Sequence, residues 1–96
     1  MQFLVTAYDY KDGLERRLAV RDQHLKLIDQ LIEEGKCLYA AQLVDDNEKM
    51  IGSVMIFDYP TRGDLDDMLK SEPYTLNKVW ETVDIVRCNV APKFLK

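Results

Sequence analysis

Histidine and cysteine are scarce in this sequence, which has one His and two Cys among its 96 residues. Cys37 and Cys88 lie far apart in the chain, and the single His24 cannot complete a set of metal ligands with them. The usual metal-binding motifs are therefore excluded, and we expect neither a metal nor another cofactor. For the same reason we expect two free thiols in a reducing compartment rather than a disulfide.

Long hydrophobic runs and an excess of positive charge are also missing. The longest apolar stretches, such as residues 54–57, are far shorter than the roughly 20 residues that a membrane-spanning helix needs. The N-terminal residues lack the basic and apolar segments of a secretory signal. With 13 Lys and Arg against 17 Asp and Glu, the net charge of -4 disfavours nucleic-acid binding. We therefore expect a cytoplasmic protein that binds neither a membrane nor nucleic acid.

Glycine and proline are few as well, with four Gly and three Pro, and no segment resembles a flexible linker. The sequence is instead 47% hydrophobic and 31% charged, the balance of a folded globular domain. Its length predicts a single domain, residues 1–96. A chain this short buries only about two-thirds of its unfolded surface, so an oligomer interface would add to its core.

The first third of the chain predicts a strand and then a long helix. Residues 3–8 are β-forming and contain no breaker, and a turn follows at Asp9. Between residues 18 and 34, apolar positions such as Val20 and Ile32 recur at spacings of three and four, which is typical of an amphipathic helix. Gly35 is placed to end this helix in a left-handed conformation.

Two strands and a second helix are predicted next. The apolar runs 36–44 and 50–59 flank a polar segment that suits a hairpin loop. Thr61 with Asp64 three residues later resembles a helix cap. Pro73 then breaks the second helix and can open a short helical turn.

A last strand over residues 82–90 completes the order strand, helix, strand, strand, helix, strand. This βαββαβ order predicts a ferredoxin-like α+β domain, with an antiparallel sheet covered by two helices on one face. The other face of the sheet would keep apolar side chains without cover, which favours a homodimer formed through the sheet faces.

His24 is the only histidine in the sequence, and histidine is the side chain whose ordinary pKa lies near neutral pH. It lies four residues after Val20 and four before Ile28, which places it on the apolar side of the first predicted helix. Two interpretations follow from this position. The ring is either a buried histidine that makes one hydrogen bond, or a proton acceptor at a functional site.

Glu72, just before Pro73, is the second candidate. A carboxylate here could cap the next helical turn, which is its simplest interpretation. The predicted topology lays both helices on the same sheet, so Glu72 could also contact His24. A carboxylate bonded to one ring nitrogen fixes the tautomer and leaves the other nitrogen free for a substrate proton.

Arg21 lies one turn before His24 on nearly the same side of the helix, where its planar fork could hold a substrate carboxylate. A surface ion pair with a nearby acid is the alternative. Arg17 extends the same stripe by another turn, and Tyr74 could lend a hydroxyl to the site.

Short motifs run in order along nearly the whole chain. They are Tyr8-Asp9, Arg17-Leu18, Arg21-Asp22-Gln23-His24-Leu25, Glu33-Glu34-Gly35-Lys36, Ser71-Glu72-Pro73-Tyr74 and Pro92-Lys93-Phe94. In the order and spacing of these motifs the chain resembles the YciI-like family, also called YCII-related domains.

The resemblance implies a ferredoxin-like fold that dimerises through its sheets into a dimeric α/β barrel. It also implies a catalytic pair of His24 and Glu72. The chain departs from the family pattern at Glu72, where the usual residue is Asp, and at Ala41-Gln42, where family members often carry Gly-Pro. Some members are similar to muconolactone isomerases and act as chloromuconolactone dehalogenases, while many others have no assigned reaction.

Two functions are consistent with these features. In the first, His24 and Glu72 act as a general base on a small anionic carbonyl or lactone substrate that Arg21, Tyr74 and Arg17 bind. In the second, the chain is a non-catalytic module that binds a ligand or another protein through the same pocket.

Overall fold

The computed structural model describes residues 1–95 and shows a four-stranded sheet with helices on one side. In chain order the elements are β1 (Gln2–Asp9), α1 (Leu14–Glu33), β2 (Cys37–Val44), β3 (Met50–Asp58), α2 (Arg62–Ser71), the short α3 (Pro73–Leu76), β4 (Trp80–Cys88) and a 3-10 turn (Pro92–Phe94).

The strands lie in the order β2-β3-β1-β4, and every neighbouring pair is antiparallel. The first strand is therefore central, flanked by β3 and β4, while β2 and β4 form the two edges. This is the ferredoxin-like arrangement that the element order predicts.

One face of the sheet packs against the helices. Along β1 the side chains of Phe3, Val5 and Ala7 are buried on this face and alternate with partly or fully exposed neighbours. The helices contribute apolar residues to the same core, among them Ile28 from α1 and Leu65 from α2. The antiparallel sheet is thus half-covered, as in other α+β domains.

The opposite face of the sheet has no helix over it. A row of apolar side chains crosses all four strands there, because Tyr39 pairs with Ile56, Ile56 with Leu4, and Leu4 with Val86. Tyr39 and Val86 are 54% and 59% exposed. We call this row, formed by Tyr39, Ile56, Leu4 and Val86, the open-face row. Its exposure agrees with the prediction that one side of the sheet lacks cover.

Helix α1 begins at Leu14, one turn earlier than the predicted start at residue 18. The backbone of Gly13 supplies the first helical acceptor, since its carbonyl accepts from the N–H of Arg17. Asp9 is the last residue of β1 and does not belong to a turn. The earlier start of α1 puts Asp9 within reach of that helix. Ile32, predicted on the apolar stripe, is 53% exposed, whereas its neighbour Leu31 in the same turn is buried in the core.

The connection from β3 to β4 follows the predicted capping pattern. The side chain of Thr61 accepts a hydrogen bond from the N–H of Asp64 and caps α2. Glu72 then ends α2 and begins α3, with Pro73 in the first helical position. The final strand starts at Trp80, two residues before the predicted start. Within residues 1–95, no helix has the length and apolarity needed to cross a bilayer.

Candidate active site

His24 and Glu72 meet at the centre of the helical layer. Nδ1 of His24 lies 2.9 Å from Oε2 of Glu72, although the two residues are 48 positions apart in sequence. The Glu72 side chain is fully buried and the His24 residue is 8% exposed. Water competes little for this hydrogen bond, and the bond therefore holds the ring in one orientation.

The backbone of α3 orients the carboxylate of Glu72. Its second oxygen, Oε1, accepts a hydrogen bond of 3.0 Å from the N–H of Tyr74. Because an ionised carboxylate can only accept, Nδ1 of His24 must carry the hydrogen of their shared bond. In the neutral ring Nε2 is then an acceptor, and no partner among residues 1–95 bonds to it. Nε2 is free to receive a proton from a ligand.

Tyr74 is inserted between two side chains of α1. Its ring is stacked on His24, with centroids 3.9 Å apart and planes inclined by 12°. The guanidinium carbon of Arg17 lies 4.5 Å from the centre of the same ring. Arg17 and His24 are two helical turns apart, about 10 Å along the axis, so they occupy opposite faces of Tyr74.

Trp80 completes a cluster of three rings under the site. Its ring meets His24 edge-on at 6.3 Å and Tyr74 edge-on at 5.6 Å. The indole Nε1 is buried and has no hydrogen-bond partner in the described part of the chain. Packing from two sides thus supplements the Glu72 hydrogen bond in fixing the His24 ring.

Arg17 belongs to a second buried network. Its Nε and Nη2 donate to the two carboxylate oxygens of Asp9 at 2.7 and 2.9 Å, and Nη2 also donates to Oγ of Ser53 at 2.8 Å. The side chains of Arg17 and Asp9 are 2% and 4% exposed. The sequence predicts that Arg17 binds substrate, but Asp9 balances the charge of this guanidinium in the structure.

A cleft of about 200 Å³ opens beside these groups, between α1 and the sheet. Residues from α1, the two strands β2 and β3, and α3 form its walls. The lining residues are Arg17, Arg21, His24, Leu25, Ile28, Ala40, Ala41, Gln42, Ser53, Met55 and Tyr74. The lining contains two arginines and no acidic residue, so the cleft favours an anionic ligand.

Arg21 supplies the uncompensated positive charge of this cleft. Within residues 1–95 it forms no ion pair, so the surface pairing with Asp22 or Glu15 that its sequence position allows is not formed. All five predicted site residues therefore line the cleft or, in the case of Glu72, contact a residue that does.

The hydroxyl of Tyr74 faces these charges. Burial raises the pKa of Tyr74 above its ordinary value, and the charge of Glu72 adds to this effect, while Arg17 and Arg21 act in the opposite direction. With its pKa raised, the hydroxyl keeps its hydrogen at neutral pH and can donate to a ligand oxygen.

Sequence reasoning missed Asp9, Ser53 and Trp80. The sequence of β3 contains one signal that could have identified Ser53. Ser53 shares the alternating positions of Met55 and Phe57, whose side chains face the core, and so places a hydroxyl where an apolar residue is expected. No three His, Cys, Asp or Glu side chains of residues 1–95 are grouped as a metal ion would require.

The chain matches a known family over most of its length. A family model described as the YCII-related domain matches residues 1–89. The chain belongs to the YCII-related domain family. Protein YciI of Escherichia coli O6:H1 is 31% identical over an alignment of 91 residues, with coverage of 88% of this YCII-related chain and 93% of that protein. An uncharacterised protein of Haemophilus influenzae is 32% identical over 89 residues, covering 86% and 91% of the two chains.

Solved structures share the fold of this YCII-related chain at lower identity. TftG from Burkholderia phenoliruptrix AC1100, a 5-chloro-2-hydroxyhydroquinone dehydrochlorinase in complex with 2,5-dihydroxybenzoquinone, superimposes with a TM-score of 0.84 at 18% identity, covering 97% of this chain and 98% of that chain. An antibiotic biosynthesis monooxygenase gives a TM-score of 0.53 at 18% identity, covering 95% and 98%. These matches confirm the predicted fold class, the ferredoxin-like fold of dimeric α/β barrel proteins.

Glu72 and Ala41-Gln42, where the resemblance led us to expect Asp and Gly-Pro, all lie at the site. Glu72 is one methylene longer than Asp, and its carboxylate reaches His24 at 2.9 Å. Ala41 and Gln42 both line the cleft.

Proposed function

We propose that this protein is a small enzyme in which His24 acts as a general base on a small anionic substrate. The observation that carries the proposal is the 2.9 Å hydrogen bond that Nδ1 of His24 donates to Glu72, which leaves Nε2 unbonded in a residue that lines a cleft with two arginines. The proton removed would lie next to a carbonyl or lactone group of the substrate.

Each neighbour of the base has a part in the proposed step. Arg21 holds the anionic group of the substrate, and the neutral hydroxyl of Tyr74 donates to the same oxygens. Glu72 stabilises the imidazolium that forms when Nε2 takes the proton, because its negative charge is buried against the ring. The ring stack with Tyr74 holds the imidazole in the orientation that this step needs.

The substrate class follows from the cleft and from TftG. TftG is a dehydrochlorinase crystallised with 2,5-dihydroxybenzoquinone, a single acidic ring with several oxygens. A cleft of about 200 Å³ has room for one such ring. We propose that the ring reacts as its diketo tautomer, in which the carbon that carries chlorine is saturated. His24 removes a proton from the carbon between this centre and a carbonyl group, the released electron pair forms a double bond to the chlorine-bearing carbon, and chloride leaves from that carbon. In an isomerisation the same proton would return to another carbon.

Two broader features complete the proposal. We propose a homodimer in which the open-face rows of two chains pack against each other, since Tyr39 and Val86 are otherwise exposed and Leu4 and Ile56 only partly buried. We also propose a cytoplasmic location, which suits the free thiols of Cys37 and Cys88.

The test uses release of chloride from 5-chloro-2-hydroxyhydroquinone. His24→Gln and Glu72→Gln should each lower kcat by about a hundred-fold to ten-thousand-fold, the range typical of general base catalysis. The Glu72→Gln amide can still accept from the N–H of Tyr74, but its NH₂ would donate to Nδ1 and move the ring hydrogen to Nε2. Circular dichroism and thermal melts establish that both variants are folded.

An exposed arginine offers a matched control. Arg16→Gln removes a charge that bonds to Asp12 on the surface, and should leave kcat unchanged. Equal rates for the wild type and His24→Gln would rule out the mechanism. If the wild type binds 2,5-dihydroxybenzoquinone but turns over neither the chlorinated compound nor a chloromuconolactone, the non-catalytic binding module is the better description.

A further inference from the structure

Ser53 is a polar residue on the core face of β3, where it forms part of the wall of the cleft. It is 3% exposed, and its neighbours on the same face of the strand, Met55 and Phe57, belong to the apolar core. A hydroxyl at such a position needs hydrogen-bond partners, because burying an unpaired polar group is unfavourable.

The hydrogen bond between Ser53 and Arg17 leaves the hydroxyl hydrogen of Ser53 unused. Its Oγ accepts from Nη2 of Arg17 at 2.8 Å, so its own hydrogen must point away from the guanidinium. Among residues 1–95 the Ser53 hydroxyl forms no hydrogen bond as a donor, and its bond with Arg17 is the one in which it takes part. Since Ser53 lines the cleft, the direction left open for donation is into the ligand space.

The hydroxyl is held in place by charged groups. Asp9 binds Arg17 through two parallel hydrogen bonds, and the ring of Tyr74 covers the guanidinium from one side. This geometry leaves Nη2 little freedom, and therefore fixes Oγ of Ser53. Accepting a bond from a cation also polarises the O–H group and makes it a stronger donor.

Ser53 and His24 stand on different walls of the same cleft. His24 and Arg21 belong to α1, whereas Ser53 belongs to the sheet beneath them. A ring bound between the two walls can present a hydrogen to Nε2 and one of its oxygens to Ser53. Removal of the proton places negative charge on that oxygen as an enolate, which a fixed donor stabilises.

We propose that Ser53 donates its hydroxyl hydrogen to a carbonyl oxygen of the substrate, and that Arg17 and Asp9 position it. The inference rests on the proposed function and narrows its substrate class. The substrate carries an anionic oxygen for Arg21 and a second, carbonyl oxygen that becomes the enolate at Ser53. Arg17, predicted to bind substrate directly, is then a positioning residue.

The experiment measures binding of 2,5-dihydroxybenzoquinone by its visible absorbance, and chloride release in parallel. Ser53→Ala removes the donor and should weaken quinone binding about tenfold to a hundred-fold, as expected for a hydrogen bond to a charged group. Ser53→Cys keeps the size but donates poorly, and should lose a similar amount. Ser53→Thr keeps the hydroxyl and should retain most of the binding. If the role of Ser53 were purely structural, binding would not have to follow the presence of the hydroxyl in this way.

Ser71→Ala is the matched control, because the Ser71 hydroxyl bonds to a backbone carbonyl within α2, outside the cleft lining, and its loss should leave binding unchanged. The inference is wrong if folded Ser53→Ala and Ser53→Cys bind like the wild type, or if Ser53→Thr loses as much as they do. Absence of quinone binding by the wild type also overturns it. If the Ser53 pattern holds but the wild type releases no chloride, the proposed catalytic function fails and the assignment of Ser53 as a ligand donor stands.

Discussion

Two buried acid and base pairs, Asp9 with Arg17 and Glu72 with His24, lie on either side of Tyr74. In each pair the acid comes from outside α1 and the base from α1, so the pairs connect the long helix to the sheet and to α3. Both pairs are shielded from water, and loss of one partner would leave the other without compensation.

Asp9→Ala tests the buried ion pair between Asp9 and Arg17. The substitution leaves the guanidinium of Arg17 buried without its counter-ion, and should lower the free energy of unfolding by about 3–5 kcal/mol. Asp9→Ala combined with Arg17→Met removes both charges and should recover most of that loss. Urea denaturation at a fixed protein concentration measures both.

The exposed ion pair of Asp12 and Arg16 is the control for the stability changes expected from the Asp9 and Arg17 substitutions. Asp12 is largely exposed, and its ion pair is screened by water, so Asp12→Ala should have little effect on stability. A loss for Asp9→Ala as small as that for Asp12→Ala would show that the buried pair contributes no more than a surface pair.

Single residues differ in how far the sequence predicts their place. His24 was predictable because its spacing from Val20 and Ile28 puts it on the buried side of a regular helix. Glu72 was predictable because Pro73 fixes a helix start after it. Asp9 was not, because local turn signals at residues 9–13 hide a pairing that depends on where α1 begins.

At the scale of elements, the end of α1 determines how the chain enters β2. The N–H of Gly35 bonds to the carbonyl of Ile32, and the N–H of Lys36 bonds to that of Leu31, which is a Schellman ending. Gly35 has a φ of +74°, the left-handed conformation that this ending requires. The next strand then starts at Cys37, whose side chain is buried in the core.

Gly35→Ala should lower the free energy of unfolding by about 1 kcal/mol, the conformational cost of a left-handed residue that has a Cβ. No atom lies within 4 Å of the Cβ position, so sterics from other residues add nothing. Thermal and urea unfolding measure the change.

Gly63→Ala makes the same chemical change in the first turn of α2 and should have the opposite sign. The Cβ there meets only an ordinary contact of 3.7 Å with Thr61, and alanine favours a helix more than glycine does. If both variants shift stability in the same direction, backbone conformation does not explain the role of Gly35.

Element boundaries were harder to predict than element types. The residues before position 18 are mostly charged or turn-forming, and only tertiary contacts such as those of Arg17 show that they belong to α1. Similarly, Trp80 joins β4 because it pairs across an irregularity with Asp9, which the strand pattern does not reveal.

At the scale of the whole molecule, the open-face row is the surface that most needs a partner. Its side chains come from all four strands, and only the pairing register shows that they form one line across the sheet. The sequence predicts that some strand side chains point away from the helices, but it does not specify this line, because register depends on contacts between distant strands.

Val86→Asp should convert the proposed dimer into a monomer, because it would bury a charge within the proposed interface. Val86 is exposed within one chain, so the fold itself should tolerate the change. Light scattering after size-exclusion chromatography gives the mass of each species. Ile32→Asp, at a similarly exposed apolar site on α1, should remain a dimer. A wild-type chain that is monomeric at micromolar concentration would contradict the sheet-to-sheet dimer.

The edge-on contact of Trp80 with His24 and Tyr74 has an optical consequence. Trp80 is the single tryptophan of the chain, so all indole fluorescence comes from the ring cluster that it forms with His24 and Tyr74. A ligand in the cleft would contact those two rings, and the emission should therefore change when it binds. The protein thus carries its own fluorophore beside the proposed base, and occupancy of the cleft can be followed without a label.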